Sequence, residues 1–178
     1  MRSFSDEAVV LKKLDFGEAD RILTVFNKEH GKLKVLAKGV RRPTSRKGGN
    51  LDLLTHSRVF VAKGRNLDLV TEALCLNSFS PLKKEVNTIS KAYYLCELID
   101  SLCAEGESSV FVFNLLVSTL ENFGQGPAQR IWDFEYQLLK YLGFITYEKP
   151  EKGLKAMVEE IIERELKAPK FYYSLLKI

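Results

Sequence analysis

The stretch Gly31-Lys32-Leu33-Lys34-Val35-Leu36-Ala37-Lys38-Gly39-Val40-Arg41-Arg42-Pro43-Thr44-Ser45-Arg46-Lys47-Gly48-Gly49 decides how this chain reads. Its first part alternates. Leu33, Val35 and Ala37 fall on one side of a strand, and Lys32, Lys34, Leu36 and Lys38 on the other. One face then belongs to a core, and the opposite face carries three ammonium groups within about 20 Å at ~3.3 Å rise per residue. From Gly39 the stretch is too polar and too rich in glycine for a strand interior and reads as a mobile loop bearing Arg41, Arg42, Arg46 and Lys47. Between His30 and Leu51 there are seven basic residues and no acidic one. Guanidinium groups bind phosphate bidentately, so such a stripe suits a polyanion. An ordinary solvated charged surface is the competing explanation.

The neighbouring segments extend the strand pattern. Ala8–Leu14, Arg21–Asn27, Leu53–Ala62 and Leu67–Leu74 are further short strands, and Asn27-Lys28-Glu29-His30-Gly31 has the length and terminal glycine of a hairpin loop. Five short strands in the first ~75 residues suggest a small closed barrel, because closure removes exposed edges. After Pro81 the spacing becomes helical. Val86, Ile89, Tyr93, Cys96, Ile99 and Cys103 mark one face of a first helix. Ser108 or Ser109 caps a second, which runs through Phe123 and ends at Gly124-Gln125-Gly126. Pro127 opens a third, with Ile131, Phe134, Leu138 and Leu142 inward, and a fourth covers about Lys152–Lys167 before Pro169. The expected class is α+β multidomain, a barrel over residues 1–80 and a helical domain over residues 81–178.

Composition narrows the chemistry. Of 178 residues, 46% are apolar and 28% charged, an ordinary globular balance. The formal charge of +4 is uneven: residues 1–80 hold 15 Lys/Arg against 9 Asp/Glu, and residues 81–178 hold 12 against 14. Cys75, Cys96 and Cys103 form no CxxC pair, and His30 and His56 are the only imidazoles, so no metal or cofactor is expected. The longest mainly apolar run, Val110–Val117, is too short for a bilayer, and Asp6 and Glu7 interrupt any leader; the chain reads as soluble and cytoplasmic.

Catalysis finds little support. No phosphate-cradling G-x-x-x-x-G-K-[ST] or G-x-G-x-x-G is present. Asp15, Glu18 and Asp20 sit in a turn beside Arg21, where capping and ion pairing account for them. Cys96 and Cys103 lie on an apolar helix face and read as core. Phe60, beside Arg58, is either packed under the helical half, the reading preferred here, or an outward platform for a base. With only five aromatic residues before position 80, none of them Tyr or Trp, the barrel is expected to grip backbone charge rather than bases.

The same segments resemble the RecO family of recombination-mediator and DNA-repair proteins. The matching residues run from Ala8-Val9-Val10-Leu11 through Gly17-Glu18-Ala19-Asp20-Arg21-Ile22-Leu23, Glu29-His30-Gly31-Lys32-Leu33, Ala37-Lys38-Gly39-Val40-Arg41-Arg42-Pro43, Ser45-Arg46 and Gly48-Gly49-Asn50-Leu51. Later echoes are Ala92-Tyr93, Glu97-Leu98 and Leu138-Leu139-Lys140-Tyr141-Leu142-Gly143-Phe144. The resemblance implies a five-stranded OB-fold barrel followed by an α-helical C-terminal domain. It also implies a non-enzymatic, nucleoid-associated protein that binds single- and double-stranded DNA and anneals complementary strands. The implied partners are RecR, the C-terminal tail of single-stranded DNA-binding protein and, indirectly, RecA. The basic barrel surface of the family corresponds to Lys32, Lys34, Lys38, Arg41, Arg42, Arg46 and Lys47, and Arg58 joins them by its place beside Phe60. Many members carry a four-cysteine zinc finger after the Leu-Gly-Phe/Tyr segment; no cysteine lies between Phe144 and Leu154 here, which describes a short form without it. Two other classes remain open: an adaptor whose basic face docks an acidic protein, and an RNA-binding barrel distinguished by 2′-OH contacts.

Overall fold

Short runs rich in Val, Ile and Leu between glycine turns become β1 (Ser3–Phe16), β2 (Asp20–Asn27), β3 (Gly31–Ala37), β4 (His56–Ala62) and β5 (Asp68–Asn77). They close into a barrel in the order β1-β2-β3-β5-β4, the OB-fold the resemblance implied. The structure is a computed structural model and describes residues 3–123, 127–146 and 153–168. Neighbouring strands are antiparallel except β3 and β5, which meet in parallel only at Val35–Asp68 and Leu36–Leu69. The inward side chains include Ala8, Val10, Leu23, Val25, Val35, Val59, Val61 and Val70, and the β3–β4 connection adds Val40 and Leu51. Each fully buried Val or Leu side chain among these stabilises by about 1.5–3 kcal/mol.

Three strands differ from their expected limits by more than one residue: β5 runs on to Asn77 rather than Leu74 because it stays paired with β4 as far as His56. β1 is longer than Ala8–Leu14 because it serves two neighbours, pairing with β4 over Ser3–Val9 and with β2 over Ala8–Phe16. β4 begins at His56 rather than Leu53, because the chain through Leu54 is still turning: Leu54 has φ +53 and bonds back to the Val10 carbonyl. β1 also carries a bulge. Val10 lies opposite Val25, but Lys12, not Leu11, lies opposite Thr24. Beyond the bulge the alternation is reversed, so Lys12, Leu14 and Phe16 share the outer face with Thr24, Ile22 and Asp20.

The β2–β3 hairpin is held from β1. The buried Asp6 carboxylate accepts the backbone N–H groups of Glu29 (3.0 Å) and His30 (3.1 Å), and the His30 ring nitrogen Nδ1 lies 2.7 Å from the same oxygen. Phe4 stacks on that imidazole at 3.8 Å. Gly31 closes the hairpin with φ +67, the left-handed conformation its place in the sequence called for.

Contacts divide the chain into two compact units. One takes residues up to Phe79 together with Cys103–Phe113; the other takes Ser80–Leu102 and residues from Asn114 on. In the first, Glu105 bridges to Lys32, and the Gly106 N–H donates to the Lys32 carbonyl at 2.9 Å. Phe113 stacks on Phe26 (6.5 Å) and meets His56 edge-on (5.6 Å). This strap shields the outward-facing Phe26.

The helices are α1 (Val86–Leu102), α2 (Val110–Glu121), α3 (Pro127–Tyr141) and α4 (Leu154–Ile161). The Ser109 hydroxyl caps α2 by accepting the Val112 N–H at 3.1 Å. In α1, Cys96 and Ile99 are buried as expected, but so are Leu95 and Leu98, whereas Val86 is exposed; the helix is covered on more than one side. Phe134 and Leu138 of α3 are buried. The glycines expected to end α2 and the proline expected to stop α4 lie outside the described residues. Tyr94 and Glu135 share a short buried hydrogen bond. Glu97 accepts bonds from Arg164 Nη1 (3.0 Å) and from the N–H groups of Lys167 (2.9 Å) and Ala168 (2.8 Å). No helix of the described residues is long and apolar enough to cross a membrane.

Candidate nucleic-acid interface

The glycine-rich connection after β3 is built onto the β1–β2 turn. The Gly39 N–H donates to Asp20 Oδ1 (2.7 Å), the Arg41 N–H to the Ala19 carbonyl (2.9 Å), and the Arg41 guanidinium to the Gly17 carbonyl (3.3 Å). Asp15 joins the two arginines, 2.8 Å from Arg21 Nε and 3.4 Å from Arg41 Nε. The bonded Arg21 guanidinium, helped by the charge of Arg41 and opposed by desolvation, holds the Asp15 carboxyl below the ordinary range. The connection then turns through Arg42 N–H to the Gly39 carbonyl and Ser45 N–H to the Arg42 carbonyl, and is pinned by the Asn50 amide on the Ala73 carbonyl. With Val40 and Leu51 in the core, the loop is fastened at several points along its length.

The eight nominated cations do not form one stripe. Lys38, Arg41, Arg42 and Arg46 are exposed on the fastened loop. Of these, Lys38, Arg42 and Arg46 have no carboxylate partner among the described residues. Lys34 is exposed on β3 and paired with Glu105. Lys47 is half-buried: its ammonium donates to the Val70 carbonyl at 3.0 Å, and desolvation lowers its pKa. Arg58 lies on β4 beside Glu7 (3.6 Å), which belongs to the half of β1 that pairs with β4. Lys32 corrects the reading of the strand. It is only 8% exposed, because it sits opposite Phe26 in the part of the outer face that the Cys103–Phe113 strap covers. Alternation placed it outward correctly; a segment some seventy positions later buries it.

Phe60 is a second correction. It is 41% exposed on the outer face of β4, between Ser5 and Glu72, and is not packed away. Leu14 and Phe16 are also open on this outer surface, 65% and 52% exposed. Unbroken alternation from Ala8 and Val10 would turn both inward; only the bulge sends them out.

Two of the cysteines are held as thiols by their surroundings. Burial pushes the Cys96 thiol up to about 12 and the Cys103 thiol to about 11. Among the described residues no group of three or more His, Cys, Asp or Glu could hold a metal ion. His30 and His56 stand against Asp6 and Glu7, where they tie strands together.

Comparison with known proteins adds to this geometry. The family model for the N terminus of recombination protein O matches residues 1–79, and that for its C terminus matches residues 84–146. Proteins named DNA repair protein RecO are similar over most of the chain. The one from Pelotomaculum thermopropionicum is 37% identical over 145 residues, covering 81% of this chain and 57% of its own length. The one from Roseiflexus sp. is 35% identical, covering 80% and 51%. The one from Heliobacterium modesticaldum is 38% identical, covering 81% and 53%. The chain thus spans little more than half the length of the curated relatives it matches.

Proposed function

The chain belongs to the RecO family of DNA repair proteins, and from that premise we propose that it is a non-enzymatic mediator binding single- and double-stranded DNA through the cationic end of its barrel. In this reading residues 1–80 grip the sugar-phosphate chain and help complementary strands anneal. RecR and the C-terminal tail of single-stranded DNA-binding protein are its partners, RecA loading its downstream consequence, and the cytoplasmic nucleoid its place. The observation that carries the reading is the cluster of exposed Lys38, Arg41, Arg42 and Arg46 on one hydrogen-bonded loop. Annealing needs no catalytic group. A cationic surface holding two strands lowers phosphate repulsion and raises their local concentration, leaving base edges free to pair.

With Lys32 covered and Lys47 tied to a carbonyl, about five cations remain for phosphates: Lys34 and the four on the loop. Log K for single strands is then expected to fall against log salt with a slope of roughly −3.5. Arg41→Ala with Arg42→Ala should weaken binding to every base sequence alike and make that slope shallower by about 1.4. An affinity indifferent to salt contradicts the reading, and a loss confined to one base sequence replaces backbone grip with base readout. A parallel titration with RNA of the same sequence separates DNA from RNA preference.

Glu105 competes with phosphate for Lys34. Glu105→Gln is expected to raise oligonucleotide affinity by about two- to fivefold at low salt, the range of an exposed ion pair, and to do little at high salt. Unchanged affinity in dilute buffer would place Lys34 outside the contact.

A further inference from the structure

We propose that the outer face of β4 and β5 joins a second copy of this chain in a weak pair with two-fold symmetry. Strand register lays out the face. Arg58 on β4 lies opposite Leu74 on β5, and in the next row Phe60 lies opposite Glu72. All four are exposed and point away from the core, which β4 and β5 supply with Val59, Val61 and Val70. Phe60 and Leu74 therefore share one diagonal of a small square, and Arg58 and Glu72 share the other. Leu74 is 58% exposed. Leu76, the extra residue where β5 bulges against His56 and Ser57, is 41% exposed and extends the apolar strip.

A square of this kind is complementary to itself. Turned over about a two-fold axis that lies in the contact along the Phe60–Leu74 diagonal, a second copy sets Phe60 on Phe60 and Leu74 on Leu74. The same turn brings each Arg58 to the Glu72 of the other copy, so both charges of the square are answered twice. A polyanion is a poorer occupant. With Glu7 3.6 Å from Arg58 in the same row, the face holds two carboxylates to one guanidinium. Its size sets the strength: three rows about 7 Å apart on strands about 4.8 Å apart give on the order of 300 Å² per copy. A stable pair buries about 800 Å² per copy, so this one is transient and forms between about 10 µM and about 1 mM.

Sedimentation equilibrium of the full chain across that range should show the mean mass climbing from one chain toward two. Arg58→Glu and Glu72→Arg should each weaken association by about tenfold or more, because like charges then meet across the axis. Mixed in equal amounts, the two variants should regain wild-type association, since every contact again sets a carboxylate against a guanidinium; recovery on mixing also shows that both are folded. Leu74→Asp, on the axis itself, should abolish association. A wild type that stays single throughout the range overturns the proposal, as does a mixture that associates no better than its components. Undiminished association of Leu74→Asp, or of either charge variant alone, places the contact elsewhere and overturns it too. If the chain stays single while Phe60→Ala weakens oligo(dT) binding, the face is a platform for bases and the proposal fails.

Discussion

Replacing Gly31 with alanine is expected to destabilise the barrel unit by about 3 kcal/mol or more, against about 1 kcal/mol for the same change at Gly17. Both glycines have left-handed φ, +67 and +57, so the conformational cost of adding a Cβ is similar at the two. Their surroundings differ. At Gly17 nothing lies within 4 Å of the added atom, whereas at Gly31 it would meet the Glu107 carbonyl oxygen at 2.1 Å and its carbon at 2.4 Å. Backbone cannot swing aside as a long side chain can. The Cys103–Phe113 strap must lift, which breaks the Gly106 to Lys32 hydrogen bond and opens the Phe113–Phe26 contact. Denaturant unfolding with hydrogen exchange at the β3 amides measures both variants. Equal costs would show that the close approach contributes nothing and that only φ matters.

Glu97→Gln is expected to cost the helical unit about 2–3 kcal/mol at neutral pH, with the deficit shrinking as pH falls below about 4. Burial pushes the Glu97 carboxyl up, but the Ala168 and Lys167 N–H groups and the Arg164 guanidinium outweigh it and hold the group below the ordinary range. A carboxyl with a lowered folded-state pKa stabilises fully above its unfolded value, and that stabilisation disappears as pH drops through the folded value. Glu135 has the opposite sign. Burial raises its pKa despite the Tyr94 hydroxyl and Lys155, so its contribution is full in acid and is lost as pH rises through the raised value. Tyr94 is itself pushed far up by burial and by Glu135, and remains a donor. Glu135→Gln should therefore be within about 1 kcal/mol of wild type at pH ~7 and relatively worse in acid. Trp132, the single tryptophan, lies on the same helix as Glu135 and reports unfolding of this unit by fluorescence. Identical deficits for both variants at both pH values would remove the assignment.

Much of the architecture was legible because it is written locally. Leu33, Val35 and Ala37 alternate into the barrel side of β3, Gly31 announces its turn, and Ser108-Ser109 the start of a helix, which Ser109 caps. The block from Ala8 to Leu51 carries the family resemblance that the domain matches bear out. Arg41 and Arg42 could be nominated from charge alone, but their fastening through Asp15, Gly17, Ala19 and Gly39 could not, since it joins turns some twenty residues apart.

By itself, then, the sequence determined a five-stranded barrel followed by helices, with a concentrated run of cations after the third strand. Periodicity and turn chemistry are properties of adjacent residues, so they need no knowledge of the rest of the chain. Only the tertiary structure decided which of those side chains meet solvent. The bulge at Leu11 turned Leu14 and Phe16 outward, the Cys103–Phe113 strap covered Lys32, and Phe60 stayed on an open face. Register and long-range cover settle such questions: a one-residue slip exchanges every later side chain between faces, and a distant segment can bury a lysine without leaving a periodic trace beside it.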